Sequence, residues 1–138
     1  MQTALQRIHY IDALAGAGKT FAIVRLAHEM VERGAKVVIV QPSRLLINRT
    51  VEDELSKYPA IPYRVIHGET DHAVIAEIVR HLNAADDRPE LLFITQAAFF
   101  RLPFFANRKR WTVILDEVPQ IDSHDEFNLP DNHALLFP

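Results

Sequence analysis

An apolar run, Ile8 to Leu14, leads into the small-residue stretch Ala13-Leu14-Ala15-Gly16-Ala17-Gly18-Lys19-Thr20, and an amphipathic helical pattern over Lys19 to Arg33 follows at once. This succession constrains the chain more than any other feature. A buried strand, a loop of small residues and a helix opening on Lys-Thr suit the holding of a phosphate. Small residues let backbone N–H groups curl around anionic oxygens. The positive end of the helix dipole points at the same place. Lys19 supplies a point charge for the β and γ phosphates of a nucleotide, and the Thr20 hydroxyl supplies a ligand for Mg²⁺. The expected phosphate-loop residues are Ala15, Gly16, Ala17, Gly18, Lys19, Thr20 and Phe21. The plain alternative is a glycine-rich turn with a chance Gly-Lys-Thr, and the strand before and helix after weigh against it.

The remaining pattern alternates in the same way. Strands are expected at Val37 to Val40, Arg64 to Ile66, Leu91 to Thr95 and Thr112 to Leu115. Helices are expected after Pro42-Ser43, with Ser43 as the N-cap and Ile47, Val51 and Leu55 on one face, over Asp71 to Leu82, and over Gln96 to Arg101 before Pro103. In the first helix Ile23, Leu26, Ala27 and Met30 share a face, and Gly34 stands where a helix C-cap favours positive φ. This order implies an α/β fold, a parallel sheet with helices on both faces, and ligands then bind beyond the carboxyl ends of the strands. The pattern fails after Pro119, and Ile121 to Pro138 reads as a loop leading into an element whose partner is missing. A length of 138 residues fits one domain.

Composition removes several classes of function. There are no cysteines, which excludes disulfides, thiolate metal sites and cysteine nucleophiles. The net charge of -3 argues against a generally basic nucleic-acid coat but allows a local basic groove. No apolar run approaches a membrane span, and Met1 to Arg7 lacks the apolar stretch of a signal peptide, so a cytoplasmic protein without membrane contact is expected.

A second motif, Val113-Ile114-Leu115-Asp116-Glu117, is an apolar strand ending in two acids. Acids at the end of a buried strand are costly unless a cation or hydrogen bonds meet them. Asp116 is expected to hold Mg²⁺, and Glu117 to orient and deprotonate an attacking water. Alone, a strand ending in solvent would be the better reading. Beside a phosphate loop on another strand of the same sheet, the catalytic reading prevails.

Together these motifs resemble the first RecA-like lobe of a superfamily 2 (DExD/H-type) helicase. Ala13-x-x-Gly16-x-Gly18-Lys19-Thr20 resembles motif I, the Walker A loop, and Asp116-Glu117-Val118-Pro119 takes the place of motif II, the Walker B box. Val37 to Arg44, VVIVQPSR, is similar to motif Ia, and Ile94-Thr95-Gln96 sits where motif Ib places a threonine. Val118-Pro119 replaces the last two residues of DEAD or DEAH, so no subfamily is assigned. The resemblance implies a P-loop NTPase three-layer sandwich, with Mg²⁺ and ATP as cofactors. It also implies a single strand of DNA or RNA held by Pro42, Ser43, Arg44, Thr95 and Gln96. A motif III strand between the Walker A and Walker B strands, and a second RecA-like lobe carrying an arginine finger, are implied as well. Neither is found before Pro138. The chain is therefore expected to be a partial RecA-like domain, with its core at about residues 8–119, from a longer protein or a truncated gene product.

Other signals are weaker. Asn107-Arg108-Lys109-Arg110 reads as a solvated loop sooner than a phosphate contact. Phe99, Phe100, Phe104 and Phe105 suit a core better than base stacking. Ser123-His124-Asp125 are neighbours in sequence and cannot adopt triad geometry, and the seven histidines show no zinc-binding spacing. The alternatives to a helicase lobe are another P-loop ATPase, such as a viral DNA-packaging motor, and a non-catalytic nucleotide-binding module.

Overall fold

Runs of β-branched and aliphatic residues build the centre of the sheet: KVVIVQ forms β2 (Lys36–Gln41), ELLFIT forms β4 (Glu90–Thr95) and WTVILD forms β5 (Trp111–Asp116). Two shorter strands, β1 (Ile8–Ile11) and β3 (Tyr63–Val65), lie at its two sides among the described residues. The computed structural model describes residues 8–11, 17–68, 72–84, 87–103 and 108–116. The strand order is β1-β5-β2-β4-β3, and each neighbouring pair is parallel. Among the described residues four α-helices connect the strands: α1 (Ala17–Glu32), α2 (Arg44–Asp53), α3 (His72–Leu82) and the single turn α4 (Gln96–Phe99).

Because side chains alternate across a strand, the sheet supports two cores. Val37, Ile39, Leu91, Phe93 and Ile114 face α1 and α2 and pack with Ile23, Val24, Ala27, Val31 and Ile47. Val38, Val40, Leu92, Ile94, Val113 and Leu115 face α3 and α4 and pack with Ile78, Leu82, Ala98 and Phe99. The result is a three-layer α/β sandwich of the RecA-like kind. Its central strands are buried on both faces, which is why they read as unbroken apolar runs and not as alternating ones.

Local signals end the helices. Gly34, at φ 97°, closes α1, with its N–H donating to the Val31 carbonyl (2.9 Å) and that of Ala35 to the Met30 carbonyl (3.0 Å). Ser43 caps α2, its hydroxyl oxygen accepting from the Leu46 N–H at 3.1 Å. Several boundaries differ from the sequence reading by a residue or two, and two of them bear on the site and its surroundings. Helix α1 begins two residues earlier, at Ala17, so Gly18 belongs to its first turn. Helix α4 stops at Phe99 instead of Arg101, because the N–H groups of Arg101 and Leu102 turn back to Ala98 and Phe99 in tight i to i+3 bonds. Direct β1–β5 pairing, Ile8 beside Val113 through Ile11 beside Asp116, fills the position that the resemblance gives to a further strand.

Candidate nucleotide-binding site

The parallel sheet brings the carboxyl ends of its strands to one side. There β1 leads toward α1, β2 ends at Gln41, β4 ends at Thr95 and β5 ends at Asp116. Helix α1 starts beside them, and places Lys19 and Thr20 in its first turn. Two of the expected catalytic residues therefore meet: the Lys19 ammonium lies 3.4 Å from Asp116 Oδ1, with 8% and 3% of the two side chains exposed. The other carboxylate oxygen, Oδ2, accepts from Gln41 Nε2 at 2.9 Å. The Asp116 backbone carbonyl accepts from Gln96 Nε2 at 3.2 Å. A buried carboxylate is tolerable only with such partners, since desolvation otherwise outweighs what the charge gains.

Gln41 is wholly buried and was not among the residues expected at the site. Its amide nitrogen also donates to Thr50 Oγ1 at 2.9 Å, and that hydroxyl donates in turn to the Leu46 carbonyl at 2.9 Å. These partners fix which way the amide faces. Thr50 has committed its proton to Leu46 and an ionised Asp116 can only accept, so both need the NH₂ side of Gln41. Gln41 Oε1 is then left buried with no hydrogen-bond partner among the described residues. The sequence carried one signal of this: a polar residue closing a four-residue apolar run. Finding its partner requires the β2–β5 register, Val40 beside Leu115, which makes Gln41 and Asp116 neighbours.

The remaining candidates fall into three groups. Gly18 is exposed, and a Cβ built on it meets nothing within 4 Å among the described residues. Phe21 is 41% exposed, with the Lys57 ammonium 5.2 Å from its ring centroid. Ala17 opens the helix. Pro42, Ser43 and Arg44 sit at the end of β2 and start of α2, and Thr95 and Gln96 sit at the end of the adjacent β4, where Gln41 pairs with Thr95. Ser43 and Arg44 are exposed. Thr95 is 7% exposed and its hydroxyl oxygen caps α4 by accepting from the Ala98 N–H at 3.2 Å. Ala15, Gly16 and Glu117 lie outside the described residues, as do Ala13, Leu14, Val118, Pro119, Phe104, Phe105 and 121–138. Phe99 is a core residue, 3% exposed, and Phe100 meets it edge-on at 5.3 Å. Lys109 and Arg110 are exposed, and Arg110 pairs with Asp87.

A nucleotide triphosphate with Mg²⁺ fits the described residues chemically. An ammonium and a buried carboxylate meet there, and a threonine hydroxyl stands in the same first turn of α1 as the ammonium. Mg²⁺ takes few protein ligands and fills its shell with phosphate oxygens and water, which suits a site of one threonine and one aspartate. No helix among the described residues is long and apolar enough to cross a membrane. Comparison with curated proteins and with solved structures returns no match. The family of the DEAD/DEAH box helicases matches residues 2–129, nearly the whole chain, including both motifs that meet at Lys19 and Asp116. With that match, the fold and the convergence of these motifs, the chain belongs to the DEAD/DEAH box helicase family and is an ATP-binding lobe of the helicase type.

Proposed function

We propose that the chain binds Mg·ATP through Ala15 to Phe21 and Asp116 and hydrolyses it as the first motor lobe of a nucleic-acid-dependent helicase or translocase. The observation that carries this reading is the meeting of Lys19 and Asp116, 97 positions apart, at 3.4 Å at the carboxyl end of a parallel sheet. Lys19 holds the outer phosphates once it exchanges Asp116 for them. Thr20 and Asp116 hold Mg²⁺, which when bound neutralises charge that develops on the transferred phosphoryl group. Gln41 and Gln96 keep the Asp116 carboxylate and carbonyl in place. Glu117 orients the attacking water and takes its proton.

One strand of DNA or RNA lies across the ends of β2 and β4, against Pro42, Ser43 and Arg44 and against Thr95 and Gln96. The two turns are adjacent in the sheet, which favours a single path over both. Movement of the strand requires a second RecA-like lobe. An arginine supplied from such a lobe can be worth roughly 10³ or more in rate, so turnover by this lobe alone is slow. An intracellular setting is part of the same reading.

The test is Mg·ATP binding by the parent, Lys19→Ala and Thr20→Val. Loss of a hydrogen bond to a charged group costs about 1.5–3 kcal/mol, so Lys19→Ala should weaken binding about 10–100-fold. Thr20→Val leaves the Lys19–Asp116 pair intact and should lose mainly the Mg²⁺ dependence. Equal affinity in all three proteins would remove the assignment. Retained binding without turnover, even with a second lobe supplied, would make the chain a nucleotide-binding module instead of a motor.

A further inference from the structure

We infer that Gln41 is a positioning residue that couples the nucleotide site to helix α2. This rests on the nucleotide reading above and goes beyond the place that reading gives Gln41 beside Asp116. The Gln41 side chain bonds both to Asp116 and to α2: one amide nitrogen donates to Asp116 Oδ2 and to Thr50 Oγ1, each at 2.9 Å. Thr50 passes the link to Leu46, one turn earlier in the same helix. Through the backbone, Gln41 is also two residues from Ser43, the N-cap of α2. The residue therefore holds the start of α2 by the main chain and its middle by the side chain, while its far contact is the carboxylate expected to meet the metal.

The arrangement is incomplete as it stands. Gln41 Oε1 is a buried acceptor without a donor among the described residues, and the Lys19 ammonium is shared with Asp116 at a long 3.4 Å. When phosphate takes Lys19, Asp116 keeps Gln41 as its described side-chain partner. A water carried in with the nucleotide and its Mg²⁺ would be a donor of the kind that Oε1 lacks. Both changes tighten the Asp116–Gln41–Thr50 chain, so nucleotide binding should stiffen α2, whose first residues form the exposed turn Ser43-Arg44.

Amide hydrogen exchange of the whole chain, with and without saturating Mg·ATP, tests this without relying on turnover. In the parent, α1 and α2 should both exchange more slowly with nucleotide, α2 by about 2- to 10-fold, the effect of one hydrogen bond gained. In Thr50→Val, which cuts the link on the helix side and leaves Asp116 its Gln41 partner, α1 should still respond and α2 should not, and Thr50→Ser, which keeps the hydroxyl, should restore the α2 response. An α2 response that survives in Thr50→Val overturns the inference, as does a parent in which α1 responds and α2 does not. If neither helix responds and Mg·ATP fails to bind, the nucleotide reading itself has failed and takes the inference with it.

Discussion

The two ends of the sheet each bury a lysine against a carboxylate, and they do so differently. At the amino end, Lys36 Nζ is 2.9 Å from Glu90 Oε2 and lies over the Trp111 ring at 4.8 Å. His81 Nε2 meets the other Glu90 oxygen at 2.6 Å, and Trp111 Nε1 donates to the Leu82 carbonyl at 3.1 Å. Both Glu90 oxygens and the indole N–H are engaged, and the cluster ties the starts of β2, β4 and β5 to the end of α3. At the carboxyl end, the Lys19–Asp116 contact is longer, at 3.4 Å, and the Gln41 oxygen lacks a donor among the described residues. A satisfied buried network rigidifies a fold, whereas a partly satisfied one is high in energy and awaits completion. The amino-end charges therefore serve the fold, and in the proposed function the carboxyl-end charges serve a ligand.

The comparison breaks most readily at Glu90. Glu90→Ala strands the buried Lys36, and should cost about 3 kcal/mol or more in urea unfolding. The paired change Lys36→Met with Glu90→Leu should restore stability to near that of the parent, because an apolar pair of similar size avoids the desolvation penalty. A single-variant loss below about 1 kcal/mol would put this cluster with exposed ion pairs and dissolve the contrast. Ser43→Ala should cost about 1 kcal/mol by removing the α2 cap, and circular dichroism during thermal unfolding would show it. That variant sharpens the comparison, since it perturbs the turn at the carboxyl end without touching Lys19 or Asp116. The smallest effect expected is at Arg44. Arg44→Ala should weaken single-strand binding uniformly across sequences and lower its salt slope by about 1, seen in fluorescence titrations over a range of salt. An unchanged slope would take the strand-binding role away from Arg44.

Much of this organisation was legible in the residues, for physical reasons that differ by position. Strands β2, β4 and β5 announced themselves because a strand buried on both faces must be apolar throughout. Ser43 and Gly34 were readable as helix boundaries because capping and positive φ are local requirements. Lys19 and Asp116 were singled out because phosphate and metal chemistry admits few residue types, and the fold brings the two together. Gln41 was not, since its role depends on which strand lies beside β2, and sheet order is a property of the whole chain. Lys36, Glu90 and His81 were invisible for the same reason: polar residues at the ends of elements read as surface until the register Lys36 beside Glu90 and Trp111 brings them together. The pairing of β1 with β5 was likewise beyond local pattern, because short apolar runs say nothing about their neighbours.

The contrast between the ends meets its most direct test in the melting temperature of the parent, of Asp116→Asn and of the Lys36→Met, Glu90→Leu pair, each with and without Mg·ATP. A ligand that binds the folded state stabilises it by an amount set by its concentration relative to Kd, about 2.7 kcal/mol at 100 times Kd. The account predicts that Mg·ATP raises the melting temperature of the parent and of the amino-end pair alike. It should leave Asp116→Asn nearly unmoved, although that variant folds. An equal rise in Asp116→Asn, or no rise in the parent, would contradict the claim that the carboxyl end of this sheet is built to be completed by a nucleotide and its metal.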